Sequence, residues 1–421
     1  MIDIAGPKEG PGGMAISAER KRYLAIMGVI GSGHGFSHFY LLVLPPLFPL
    51  LKQEFDVSYA ALGLLISLIN VTTGLAQVPV GILVDRIGAR ALLMGGLALM
   101  GLAIAAIGLA PSYEVVLVLV LLAGLGNAVI HPADYAILNT AVPADRIGRA
   151  FALHTFSGNL GFVAAPTVMI FLSSWLGWRP ALMIAGLAAL AVIVALWRGR
   201  ALFAGIAAES AQKDQASPAT AGRGGIRPLL TPAILNMFAF FVFIAVISSG
   251  IQSFSVTALV QHQGIGLGAA NTVLSVFLVM SALGILAGGP IADRTGRHGL
   301  VAVVCLVASA ALMAIVGLVA LPLAVIVLSF VLIGLLQGAI RPSRDMMVRA
   351  ATPKGAEGRI FAFVSTGLNV GAAMTPVLFG YLIDLGHADA IFFAMAAVLL
   401  VAVATVGVSR RGRTPAPAAA D

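Results

Sequence analysis

The residues of this chain that are able to do chemistry stand in three short runs. His34 and His38 are four apart in GSGHGFSHFY, His131 and Asp134 are three apart in AVIHPADYAI, and Arg341, Arg344 and Asp345 fall within AIRPSRDMM. Spacings of three and four put each set on one face of a helix. Imidazoles titrate near neutral pH or ligate a metal. A carboxylate can hold or release a proton, and guanidinium forks match the oxygens of a carboxylate or phosphonate. Gln252 adds a neutral donor and acceptor. For His34 and His38 the plain reading is hydrogen-bonded packing and the other is contact with a proton or substrate. No metal site is expected, because the pair offers only two ligands, and no cofactor is expected.

These groups are embedded in hydrocarbon. Of 421 residues, 60% are hydrophobic and 10% charged, with mean hydropathy +1.02, whereas a soluble domain carries about 25% charged residues. Crossing a bilayer takes about 20 apolar residues. Twelve stretches qualify, near 24–50, 58–83, 91–111, 115–140, 147–174, 180–198, 232–260, 267–292, 299–320, 323–348, 358–384 and 389–409. The expected fold is an all-α integral membrane protein. A charge at mid-bilayer costs about 2.5–3.5 kcal/mol on an insertion scale, so the charged groups of spans 4 and 10 must pair or face water. Spans 3, 6, 9 and 12 hold no ionisable group in their interiors, while the polar residues collect in the others. Such a three-helix period is expected if every third helix stands outside a polar central cavity. Two readings of Arg341, Arg344 and Asp345 stay open: a salt-bridge gate between halves, or a site for an anionic substrate. In the second, Asp134 is the candidate proton carrier, with His34 and His38 next.

The chain repeats itself. Residues 124–166 recur without a gap at 334–376, pairing His131-Pro132 with Arg341-Pro342, Gly148-Arg149 with Gly358-Arg359, and Asn159, Gly161 and Pro166 with Asn369, Gly371 and Pro376. A duplicated half is implied, with any site at the interface of the halves. Pro166 and Pro376 read as kinks in helices that must rock. A polar tether, AESAQKDQASPATAGRGG, separates spans 6 and 7. The expected organisation is an N-terminal tail 1–22, a six-helix bundle 23–198, a linker 199–231, a second bundle 232–409 and a C-terminal tail 410–421.

Net charge is +8, yet of 25 Lys and Arg residues all but Lys52 and Arg179 fall on one side of these spans. That asymmetry reports orientation and contact with anionic lipid, with both termini cytoplasmic, and argues against nucleic acid as a partner. Met1 to Ala18 is polar and does not read as a signal peptide. The lone Cys305 excludes an intrachain disulfide and a cysteine-rich metal site. A phosphate-binding Gly-rich Lys-Ser/Thr loop, a His-Glu metal-hydrolase cluster and a Gly-x-Ser-x-Gly elbow are all missing from the sequence, so no enzyme is expected.

Two loops share one pattern. Gly81-Ile82-Leu83-Val84-Asp85-Arg86-Ile87-Gly88-Ala89-Arg90 follows span 2, and Gly289-Pro290-Ile291-Ala292-Asp293-Arg294-Thr295-Gly296-Arg297-His298 follows span 8. With its G-x-x-x-D-R-x-G loop present twice, the chain resembles the major facilitator superfamily of transporters over nearly its whole length. The resemblance implies twelve helices in two pseudo-symmetric bundles, alternating access and a small-molecule substrate, with protons as the coupling ion. It also implies a gate in which Asp85 meets the start of helix 11 and Asp293 the start of helix 5, with Arg86, Arg90, Arg294, Arg297, Arg149 and Arg359 in the gate region. Ala89 departs from the pattern, where arginine is usual, and Arg90 is the substitute.

Within that family, the His-Pro run of span 4, Gly158-Asn159-Leu160-Gly161 of span 5 and His38 resemble the drug-efflux branch that includes fosmidomycin resistance proteins. Ala165-Pro166-Thr167-Val168-Met169-Ile170 keeps only the proline of the antiporter pattern. The expected function is proton-coupled efflux of a drug-like or metabolite compound across a bacterial-type inner membrane, by a protein for which a monomer suffices. The alternatives are a symporter or uniporter importing an organic anion, and a receptor built on a transporter scaffold.

Overall fold

A computed structural model describes residues 13–142, 146–203, 230–352 and 357–411, with the side chains of these except at 13–20, 85, 148, 357–359, 361–362 and 407–411. The N-terminal bundle is built from α1 (Gly13–Leu41), α2 (Tyr59–Ile87), α3 (Ala89–Ile107), α4 (Tyr113–Ala141), α5 (Ile147–Leu176) and α6, which comes in two pieces, Trp178–Leu187 and Leu190–Arg198. The second bundle follows with α7 (Pro232–Gln263), α8 (Leu267–Arg294), α9 (His298–Leu318), α10 (Leu323–Ala351), α11 (Glu357–Asp384) and α12 (Ala390–Arg411). Among the described residues, eleven helical stretches are long and apolar enough to cross a membrane, and α12 adds a shorter apolar stretch at Ala390–Val406. The protein is therefore a multi-pass membrane protein. A short helix, Phe48–Phe55, caps the α1–α2 connection.

Helix boundaries follow local chemistry. Ser58 caps α2 by accepting a hydrogen bond from Ala61 N, and Thr231 caps α7 with Pro232 in the first turn. Between α2 and α3 only Gly88 intervenes, at φ +96°, a backbone that side chains avoid. The equivalent Gly296 is not in the positive-φ region. Pro166 and Pro376 lie inside continuous helices. Helix α1 runs back to Gly13, into the segment read from sequence as a tail. Of the linker 199–231, residues 199–203 form a 3-10 turn and 204–229 lie outside the described residues.

The two halves repeat one packing scheme. Helix α1 packs on α5, α2 on α4, and α3 on α4 and α6; correspondingly α7 packs on α11, α8 on α10, and α9 on α10 and α12. Contact between halves runs through α2 with α11 and α5 with α8, which is the pairing that a pseudo-twofold axis between bundles requires. Helices α3, α6, α9 and α12 stand outside, matching the three-helix period of the sequence.

The bundles meet tightly at one end. A Cβ added to Gly63 would lie 2.1 Å from the Pro376 carbonyl oxygen, and one added to Gly380 would lie 2.3 Å from that of Tyr59. Thr167 and Ser275 hydroxyls meet at 3.0 Å between α5 and α8, and Phe254 of α7 packs on Phe48 and Tyr59. At the other end stand the two Asp-Arg loops, and there Arg86, Arg149, Asp293, Arg294 and Arg297 are exposed.

Candidate functional site

Helices α1, α4 and α5 bring five polar side chains into the core of the N-terminal half. His34 and His38 project from α1, with ring centroids 4.4 Å apart, and His131 of α4 stands 5.2 Å from His34 and 6.2 Å from His38. His154 of α5 stacks on His34 at 3.6 Å with an 18° interplanar angle. Its Nε2 lies 2.9 Å from Oδ2 of Asp134, whose side chain is fully buried. His34 Nδ1 lies 2.7 Å from the His154 carbonyl oxygen, so that nitrogen donates.

Close packing of α1 on α5 makes this possible. A Cβ on Gly158 would sit 2.7 Å from Cε1 of His34 and 3.0 Å from Cε1 of His38, and one on Gly161 would sit 2.0 Å from the Gly35 carbonyl oxygen. Sequence reading placed His34 and His38 together and His131 near Asp134, but it missed His154. A signal existed in the repeat, where His154 corresponds to Val364: one copy holds a titratable group where the other holds hydrocarbon.

The other half contributes Arg341, Arg344 and Asp345 from α10 and Gln252 from α7. Arg344 is engaged within its own half, with Nη2 and Nε each 2.9 Å from Asp345 Oδ1 and its guanidinium 4.3 Å over the Phe241 ring. Arg341 has no hydrogen bond or carboxylate partner among the described residues, and with His38, His131, Gln252 and Arg344 it lines a cavity of about 380 Å³ between the halves. Arg341 and Gln252 also border a small gap beside Gln337, a buried amide with no hydrogen-bond partner among the described residues. Gln337 was not singled out in the sequence, though it is the repeat counterpart of Asn127, another cavity residue.

The residues expected to form a gate are described in part. The Asp85 side chain and Arg359 lie outside the described side chains, as does the first turn of α11. Asp293 is exposed and makes no hydrogen bond or ion pair among the described residues. Arg90 donates to the Leu196 carbonyl at 2.9 Å, at the end of α6 in its own half, where a cation also complements the helix dipole.

Comparison with known proteins decides the family. The sequence pattern of the Major Facilitator Superfamily matches residues 30–254 and again 238–421. The chain belongs to this superfamily. As a family member it is a membrane transporter, a carrier that moves a small molecule by alternating access rather than an enzyme. It is 27% identical over 273 residues to the uncharacterized MFS-type transporter YfnC of Bacillus subtilis, a match spanning 65% of this chain and 66% of that one. It is 23% identical over 291 residues to the fosmidomycin resistance protein of Escherichia coli, covering 69% and 70%. With the multi-drug resistance efflux pump PmrA homolog of Lactococcus lactis it shares 26% over 374 residues, covering 86% and 88%. In fold it resembles a bacterial homolog of the human lysosomal transporter Spinster, in an inward-facing and occupied conformation, with TM-score 0.75, 14% identity, and coverage of 93% of this chain and 98% of that one.

Proposed function

We propose that this transporter carries a small organic compound bearing an anionic group, in exchange for protons, out of a bacterial-type cell through its inner membrane. The observation that carries the reading is Arg341, a cation with no hydrogen bond or ion pair among the described residues, in the wall of the cavity between the halves. A bare guanidinium in a low-dielectric wall calls for an anion, and its fork suits carboxylate or phosphonate. Gln337 and Gln252 beside it offer amide donors to the same ligand.

Protons enter the reading through Asp134. Its Oδ2 is held by His154 and its Oδ1 has no partner among the described residues, so one oxygen is oriented while the other can take a proton. The basic residues place the Asp-Arg loop end and both termini in the cytoplasm. On that orientation the tightly packed end faces outward and the cavity belongs to an inward-open state. Efflux is favoured by likeness to proteins named for fosmidomycin resistance and multi-drug efflux.

The test is flux in oriented proteoliposomes with a panel of carboxylates and phosphonates, with a pH gradient imposed in either direction. Export driven by an acidic exterior supports the reading. Uptake with that same gradient supports a symporter, and binding without flux supports a receptor.

A further inference from the structure

We propose that His34, His38 and His131 bind one divalent transition-metal ion of the zinc class, leaving one coordination position open to the central cavity. The pair on α1 alone offers two ligands, and the fold supplies the third from α4. One ligand nitrogen from each ring lies within 4.8 Å of the others. Three imidazoles around a tetrahedral ion, at metal–nitrogen distances of about 2.0–2.1 Å, place their ring centroids about 5 Å apart. Here the separations are 4.4, 5.2 and 6.2 Å.

The hydrogen bonding points the same way. The His154 carbonyl only accepts, so the proton of neutral His34 sits on Nδ1 and the lone pair on Nε2. That Nε2 is buried without a partner among the described residues, and so are Nδ1 of His38 and Nδ1 of His131. Buried polar atoms are nearly always satisfied, and a single ion facing all three would satisfy them together. A backbone carbonyl on the far nitrogen of a ligating histidine is the support such sites use to fix tautomer and ring orientation. Behind His34, the stacked His154 carries Asp134, whose carboxylate offsets part of the ion's charge.

Imidazole ligands suit zinc, and three protein ligands with a fourth position free is the form of an open zinc site. His38 and His131 both line the cavity, so the open position faces it. Arg341 is the cation on the facing wall, which disfavours a bare ion and favours an anionic oxygen ligand between the two. That last step rests on the anionic-substrate reading above, whereas the metal site itself does not.

The experiment uses the full chain, purified in detergent without a polyhistidine tag, stripped with chelator and titrated with Zn²⁺ or Co²⁺ alone. One equivalent of Zn²⁺ per chain is expected, with Co²⁺ giving tetrahedral ligand-field absorption and X-ray absorption showing three imidazole scatterers. His34→Gln and His131→Gln should each abolish the stoichiometric uptake, while His262→Gln, in the other half, should leave it intact. X-ray absorption on the unaltered protein covers the case in which a variant fails to fold. Absence of stoichiometric uptake, a coordination shell without three imidazoles, or uptake unchanged in a folded His34→Gln variant would overturn the proposal. No flux is measured, so failure here leaves the transport reading standing, and failure of flux leaves the metal site standing.

Discussion

Asp384, the last residue of α11, accepts hydrogen bonds from the backbone N–H groups of Tyr59 and Ala60, the first residues of α2, each at 2.8 Å and one to each carboxylate oxygen. A carboxylate at a helix N-terminus satisfies orphan donors and meets the positive end of the dipole. Because the two helices belong to different halves, the bond can exist only while this end is closed. A hydrogen bond to a charged group contributes about 1.5–3 kcal/mol, and each 1.4 kcal/mol is about tenfold in population. Asp384→Ala should therefore raise the population open at this end by about tenfold or more. Spin labels at Val57 and His387 in a Cys305→Ser background would report it as a longer-distance component, and an unchanged distance distribution would remove the latch.

The fold was legible in the sequence where the bilayer dictates it. Twelve spans, outer helices 3, 6, 9 and 12 and a duplicated half follow from hydropathy and repeat register, since lipid leaves the backbone few options. The site was legible only in part. His154 stacks on His34 because Gly158 and Gly161 let α5 press on α1, a contact between helices far apart in sequence that no local spacing encodes. Asp134 pairs with His154 across the neighbouring helices α4 and α5, a contact that the spacing within either helix does not give. Arg344 and Asp345 are neighbours in sequence and pair with each other, and that Arg341 is thereby left without an ion pair among the described residues is not dictated by their spacing.

Close approach at the α1–α5 seam predicts an asymmetric response to small changes. Gly161→Ala places a methyl 2.0 Å from the Gly35 carbonyl, where backbone must move, whereas the same change at Gly28 meets nothing within 4 Å. Overpacking costs about 1–3 kcal/mol. Thermal unfolding of the detergent-solubilised protein should shift down for Gly161→Ala and stay near the parent for Gly28→Ala. Equal midpoints would mean that the seam yields freely.

Asp134→Asn is expected to separate movement from coupling. The amide fills the same volume and still faces His154, but it cannot release a proton at that oxygen. Exchange of labelled for unlabelled substrate should persist, while accumulation against a concentration gradient under an imposed pH difference should be lost. Accumulation at the parent level would place proton coupling elsewhere.

The Asp-Arg loop makes a prediction that depends on state. Asp293 is exposed and makes no hydrogen bond or ion pair among the described residues, so Asp293→Asn removes no described contact. The family resemblance has it meet the start of α5 when that end closes, where a carboxylate at a helix N-terminus contributes about 0.3–1 kcal/mol. Asp293→Asn should then slow transport severalfold while membrane insertion and substrate affinity stay unchanged, measured by flux alongside equilibrium binding. Parent-level flux would leave the carboxylate as an exposed turn residue with no part in gating.

Arg341 and Arg344 differ in what they already hold, and that difference sets the effects of replacing them. Arg341 makes no hydrogen bond or ion pair among the described residues, so Arg341→Gln should weaken binding of an anionic substrate by about tenfold or more, the range of one charge-assisted hydrogen bond, with little change in thermal midpoint. Arg344 is tied to Asp345 and lies over Phe241, so Arg344→Gln leaves a carboxylate without its partner and should lower the midpoint as well. Arg341→Lys keeps the charge but not the fork, so partial affinity is expected if two oxygens are recognised together. Equilibrium binding and melting curves on the three variants separate these cases. Should Arg341→Gln bind the anion as tightly as the parent, the substrate's charge is met elsewhere in the cavity.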